Sequence, residues 1–262
     1  MTKVADVCQF MNEFSPMALA EDWDNVGLLI GDRKQRANHV MTCLTVTPES
    51  VAEAIDEKAD MIVTHHPVPF QPIKKITADR VVGQLLIDLI RNDIAVYSPH
   101  TGFDSASQGI NQAIADRLEL QDVKPIEPSD QLEGLGSGRF GVCAESIGLQ
   151  EFASSIKQLF GLSHIHLVGE LSADVSKVGI ACGSGGSFLN AARKVGCDTM
   201  VTGETNFHTC LEARATGVSM VLLGHYGSER FAVEMLANRI QEAFPEERVW
   251  ASSRESDPVR WV

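Results

Sequence analysis

Three short blocks of this 262-residue chain bring imidazoles and carboxylates together. His65 and His66 stand in Thr64-His-His-Pro67, Asp104 closes His100-Thr-Gly-Phe-Asp104, and His225 and Glu229 share Gly224-His-Tyr-Gly-Ser-Glu229. Imidazole nitrogen and carboxylate oxygen suit zinc, manganese or iron, and the lack of thiolates argues against a closed structural zinc site. Three imidazoles and two carboxylates are enough for two divalent ions that each keep an open position for water, as two-metal hydrolytic centres require. Taken singly, each block is also explained without a metal, by a pair of satisfied loop histidines at 65–66 and by helix capping at Asp104 and Glu229. Adjacent imidazoles on an extended chain point to opposite sides, which suits two neighbouring ions better than one small site. Glu204 and His208, in Thr202-Gly-Glu-Thr-Asn-Phe-His208, are candidate proton carriers or orienting groups. A helix cap and a helix-surface histidine serve equally well for that pair. Asp24 and Asn25 adjoin an apolar run and either line the same cleft or form a turn before a strand.

The positioning elements are short β-branched runs alternating with segments of helical period, which predicts an α/β protein. Strands are expected over 39–47, 60–67, 94–101, 139–145, 165–170, 177–183, 199–204 and 220–225. Each block of candidate donors follows one of these runs, and ligand sites of α/β sheets gather beyond the carboxyl ends of strands. Helices are expected after Thr47, after Gly185 and from Ser228, with Ser228 as N-cap and Glu229 in the first turn. The Gly-rich run Ala181-Cys-Gly-Ser-Gly-Gly-Ser-Phe188 reads as a tight strand-to-helix turn and fits neither a Walker loop nor a G-x-G-x-x-G.

The two halves of the chain resemble each other. Residues 54–66 align with 192–204 at a constant offset, pairing Asp60 with Asp198 and Thr64 with Thr202. Further on, His100 to Asp104 matches His225 to Glu229 as H-x-G-x-[D/E], so a diverged internal duplication is expected. The Pro/Gly-rich, acidic stretch 122–138 divides the halves, giving expected domains of 1–125 and 126–262, with the last helices able to pack back on the first. If the halves pack about a pseudo-twofold axis, the three strand ends become neighbours.

Lys and Arg number 22 against 35 Asp and Glu, a net charge of −13, which argues against direct binding to nucleic acid or anionic membranes through overall charge. No apolar run approaches a membrane span, and the N-terminal residues lack a secretory profile. Six cysteines scattered without a C-x-x-C pair read as free thiols of a reducing cytoplasm.

In order along the chain, Trp23-Asp-Asn-Val-Gly-Leu-Leu-Ile-Gly31, Thr64-His-His-Pro67, His100-Thr-Gly-Phe-Asp104 with Gly109-Ile-Asn111, Thr202-Gly-Glu-Thr-Asn-Phe-His208 and Gly224-His-Tyr-Gly-Ser-Glu-Arg230 resemble the GTP cyclohydrolase I type 2 homologue family, also called Nif-three-like. The resemblance implies two interlinked, pseudo-symmetric α/β domains with mixed sheets flanked by helices, assembled as a toroidal homohexamer. It implies a dinuclear centre of two divalent ions per chain (zinc, iron, manganese, nickel or cobalt) held by His65, His66, Asp104, His225 and Glu229. It further implies a small-molecule substrate and hydrolysis of a cyclic amidine C–N bond, such as opening of a guanine ring at C8. The alternative is a non-catalytic metal-binding scaffold, a metal-handling protein or a partner of transcription regulators. One departure is visible: many relatives carry an aspartate in the strand before the His-His pair, where this chain has Thr45.

Overall fold

A computed structural model describes residues 1–260. In chain order its strands are β1 (Gly27–Ile30), β2 (His39–Cys43), β3 (Met61–Thr64), β4 (Ala95–Ser98), β5 (Gln121–Lys124), β6 (Glu127–Pro128), β7 (Gly136–Ser137), β8 (Arg139–Gly148), β9 (His166–Val168), β10 (Asp174–Ala181), β11 (Thr199–Thr202), β12 (Ser219–Leu222) and β13 (Arg248–Ala251). The described residues form two compact units, one of Met1–Phe103 with Phe231–Ser256, the other of Asp104–Arg230 with 257–260.

The first unit is built on a five-stranded mixed sheet of order β1-β4-β3-β2-β13, in which β1 runs antiparallel to β4 and the other neighbours are parallel. Its central strands are buried along their whole length because helices cover the sheet, so they read as continuous apolar runs. Met41, Ile62, Leu89 and Val96 are fully buried in its core. The helix Pro48–Asp56 starts where the sequence places it: Pro48 presets the first turn, the Thr47 hydroxyl accepts from Ser50 N (3.2 Å), and Ser50 Oγ accepts from Thr47 N (2.8 Å). After the helix Phe231–Ala243 the chain adds β13 beside β2, and Thr42 Oγ1 donates to Val233 O at 2.9 Å.

Glu53, 3% exposed, fastens the segment that follows β13. Its carboxylate accepts from Ser252 Oγ (2.7 Å), from Ser253 N (3.0 Å) and Oγ (3.1 Å), and from Arg254 N (3.0 Å). Burial pushes this carboxyl's pKa up, but the hydrogen bonds outweigh burial and hold it below its ordinary value. A depressed carboxylate contributes stability that is present above its unfolded pKa and is lost as pH falls through the folded value. Glu53→Gln, which turns an amide N–H₂ toward donors, is expected to cost about 2 kcal/mol at neutral pH. Urea unfolding at neutral and acid pH checks this: the gap between variant and parent should narrow in acid, and a gap independent of pH contradicts the assignment.

The second unit has a six-stranded mixed sheet of order β5-β8-β10-β11-β12-β9 and a two-stranded β6-β7 ribbon. Strands β10, β11 and β12 are parallel, while β9, β8 and β5 each join antiparallel. Leu189, Met200, Val218 and Met220 lie in its core. Arg139 is buried in this unit, and every guanidinium nitrogen donates to an oxygen of the same unit.

The duplication expected from sequence is present in the topology. The order β1-β4-β3-β2 is repeated as β9-β12-β11-β10, with the same antiparallel, parallel, parallel sense. Matched residues also carry matched hydrogen bonds. Asp60 Oδ2 accepts from the backbone N–H of Asn38 (2.9 Å) and His39 (3.1 Å), and Asp198 Oδ2 accepts from Ser176 (3.0 Å) and Lys177 (2.9 Å). Thr64 Oγ1 donates to Leu44 O (3.3 Å) as Thr202 Oγ1 donates to Gly183 O (3.4 Å).

The sequence divides the chain at 125/126, whereas the chain passes between the compact units at 103/104, at 230/231 and at 256/257. The stretch 122–138 is internal to the second unit because its backbone pairs there, β5 with β8 and β6 with β7. Pro128 and Gly136 pair across the β6-β7 ribbon and Gly134 lies in the turn between its strands, so the stretch is not a free linker.

Candidate metal centre

In the first unit β3 and β4 are parallel neighbours, so residues after Thr64 and after Ser98 emerge at the same sheet edge. The backbone of the His-His pair is stitched to the chain leaving β2, with His65 N donating to Cys43 O (2.9 Å) and His66 N to Leu44 O (2.8 Å). Ser98 Oγ donates to His65 O at 2.7 Å. The His65 and His66 rings lie 4.9 Å apart, and the His100 ring is 5.2 Å from His65 and 5.6 Å from His66. One ligand atom from each of these three imidazoles lies within 4.8 Å of the others. The expectation that adjacent imidazoles diverge is therefore corrected. β3 ends at Thr64, and the bend at 65–66 abolishes the alternation of an extended strand.

Two polar side chains set the orientation of these rings. Thr45 Oγ1 is hydrogen-bonded to His66 Nδ1 at 2.7 Å, so the residue that departs from the family pattern still holds the ring from behind. Asp24 Oδ1 accepts from His100 Nδ1 at 2.7 Å, and its other oxygen accepts from Thr101 N at 3.1 Å. Burial pushes Asp24's pKa up, but hydrogen bonds from His100 and Thr101 prevail and hold it below the usual range. In both rings Nδ1 is engaged by a side-chain oxygen, which fixes the ring plane. Asn25 turns elsewhere, its Nδ2 donating to Pro69 O at 2.8 Å.

In the second unit His225 and Glu229 belong to one short helix, His225–Glu229, so they sit four residues apart on one face. This corrects the expected start at Ser228. That residue lies inside the turn, where its hydroxyl accepts from Gly183 N (3.0 Å) and donates to His225 O (2.9 Å). His225 Nε2 is 3.1 Å from Glu229 Oε2, and His225 Nδ1 is 3.0 Å from Glu204 Oε1. The hydrogen bond to Glu229 raises the His225 pKa to about 9, with Glu204 acting in the same sense and burial opposing both. Glu204 also accepts from Ser184 Oγ at 3.0 Å, so its carboxylate is an orienting group for His225. His208 is exposed in the first turn of the helix Phe207–Thr216, and its ring packs edge-on against Phe207.

Asp104 is tied into the same unit by Asn111 and Cys182, whose contact with it no local pattern announces. Asn111 Nδ2 donates to Asp104 O (3.1 Å) while its Oδ1 accepts from Cys182 N (2.8 Å), and Cys182 Sγ donates to Asp104 Oδ1 at 3.1 Å. Burial first, then the Asp104 and Glu229 charges, push the Cys182 thiol well up, so it stays a neutral donor rather than a thiolate ligand. Gly183 follows with positive φ, and a Cβ there would collide with the Glu229 carboxylate. The Gly-rich run is thus a tight turn that makes room for Glu229.

Imidazole Nε2 atoms held from behind at Nδ1, beside a carboxylate, form a donor set that fits a divalent ion. His225 Nε2 and Glu229 Oε2 are the two atoms of this unit that would face such an ion once the proton between them is released. All six cysteines are free, and no helix among the described residues is long and apolar enough to cross a membrane.

Comparison with known proteins finds relatives over nearly the whole chain. The family model described as Duf34/NIF3 (NGG1p interacting factor 3) matches residues 2–258. A Clostridium acetobutylicum protein named GTP cyclohydrolase 1 type 2 homolog is 33% identical over 242 residues, covering 92% of this chain and 90% of its own. The Drosophila melanogaster NIF3-like protein 1 is 31% identical, covering 98% and 88%. The crystal structure of a Bacillus cereus protein related to NIF3 shares the fold with a TM-score of 0.90 at 24% identity, covering 99% of both chains.

Proposed function

Because the chain belongs to the Duf34/NIF3 family, we propose that it is a cytoplasmic dinuclear metal protein with hydrolase-type chemistry. The residues that would hold two divalent ions, as the resemblance to the family implies, are His65, His66, Asp104, His225 and Glu229. The observation that carries this reading is the treatment of His225: one ring nitrogen faces Glu229, and the other is fixed by Glu204. A structural histidine needs one such partner; a ligand needs its tautomer set from behind and an anionic co-donor in front.

Bound ions of this class supply Lewis acidity and a lowered pKa for bound water. The chain's own part is to orient and exclude. Thr45 and Glu204 fix the ring planes of His66 and His225, Asn111 and Cys182 fix Asp104, and the Gly183 turn keeps side chains away from Glu229. Glu204, with its side chain about half exposed, or His208, exposed on its helix, would exchange a proton with solvent. A small-molecule substrate with a hydrolysable C–N bond, as in a cyclic amidine, suits this chemistry, and the name GTP cyclohydrolase 1 type 2 homolog borne by relatives points to a purine nucleotide. A homohexameric ring belongs to the same reading.

The test is a hydrolysis screen of metal-loaded protein over nucleotides and over phosphate, amide and cyclic-amidine compounds, with Glu229→Gln beside it. Turnover that disappears in the variant is the expected result. Full metal loading with no turnover on any compound would overturn the enzymatic part and leave a metal-binding scaffold.

A further inference from the structure

We propose that His100 is an additional metal ligand, a third imidazole beside His65 and His66, and that Asp24 is the positioning residue that holds it ready. The proposal rests on the metal-binding reading above and extends it to two residues outside the proposed ligand set.

Three observations carry it. The first is convergence: His65, His66 and His100 come from two different strand ends, yet one ligand atom of each falls within 4.8 Å of the other two. Three protein nitrogens with a vacant fourth position are what an open zinc-type site uses. The second is the tautomer. Asp24 has a side chain with no solvent exposure, and its carboxylate accepts from His100 Nδ1 at 2.7 Å. That bond puts the ring proton on Nδ1 and leaves the Nε2 lone pair as the atom His100 can offer, the carboxylate–histidine arrangement found behind metal-bound imidazoles. The third is backbone conformation. His100 has φ of 30°, outside the ordinary range for a residue with a side chain, and such strain persists where the surroundings hold a residue in place. A cap or a buried polar bridge would account for the Asp24 bond alone, not for three imidazole rings converging within 5.6 Å of one another. The rings of Trp23 and Phe70 stand edge-on to His100 at 6.1 and 5.9 Å and give it an apolar flank that limits its movement.

The test is cobalt(II) titration of the metal-depleted full-length protein, read by calorimetry and by the visible absorption of the bound ion. His100→Ala is expected to lose at least 100-fold in affinity at one site and to change the cobalt spectrum, with free imidazole restoring the parental spectrum. Asp24→Asn should weaken the same site by about 10- to 100-fold and keep the spectrum. His100→Gln, which preserves bulk and a polar tip, decides the matter if the alanine variant fails to fold. Parental affinity and spectrum in a folded His100 variant would overturn the proposal. A parent protein that binds no cobalt at all would instead overturn the metal-binding reading.

Discussion

Arg139→Met is expected to destabilise the protein by about 4 kcal/mol, through the loss of a buried polar network. Arg139 is 3% exposed, and its Nε donates to Gln112 Oε1 at 3.1 Å. One terminal nitrogen donates to Gly136 O and Gly138 O, both at 2.7 Å, and the other to Ser105 O (2.8 Å) and Ala106 O (3.0 Å). None of these partners is charged, and burial pushes the guanidinium pKa down, partly offset by Asp116. The charge is tolerated because every N–H has an acceptor in a fork geometry. Methionine fills the volume but leaves four main-chain carbonyls without their donors. Lysine restores the charge as a single point on a flexible stem and is expected to recover less than half of the loss. Because Ser105 and Ala106 directly follow Asp104, the same variant should also weaken metal binding. Urea unfolding measures the first effect; a loss below about 1 kcal/mol would show that water or neighbouring groups replace the arginine.

Glu229→Gln and His225→Ala are expected to lower divalent-metal affinity by at least about 100-fold while leaving the fold in place. Glu229 is 3% exposed, so glutamine preserves its shape and removes only the charge and one acceptor oxygen. Glu204→Gln should act more mildly, by about 10-fold, since it touches the ion only through the orientation of His225. Calorimetric titration with zinc or manganese separates the two sizes of effect. Equal losses at 204 and 229 would contradict the distinction between ligand and orienting group.

The candidate donors are legible in sequence because their chemistry is local. Thr64-His-His-Pro67, His100-x-Gly-x-Asp104 and His225-x-Gly-x-Glu229 each follow an apolar strand and carry residue types suited to a divalent ion. The duplication was legible for a similar reason: Asp60 and Asp198 cap equivalent backbone N–H groups, so both halves keep the acid and the apolar run after it. What stayed hidden depends on residues far apart in the chain. Asp24 meets His100 across 76 residues, and Thr45, Asn111 and Cys182 are ordinary polar or apolar residues until the fold brings them to the donors. Strand β13 pairs with β2 near the other end of the chain, a partnership no window of local periodicity contains. Ser228 looked like an N-cap because it precedes a helical period. It is inside a short helix because its hydroxyl finds better partners in Gly183 N and His225 O.

Metal content at equilibrium tests the central claim most directly. The full-length protein, stripped with a chelator and dialysed against micromolar zinc or manganese, is predicted to retain two ions per chain, and His65→Ala and Glu229→Gln to fall short of that number. Retention of no more than a trace by a folded parent protein would contradict the account.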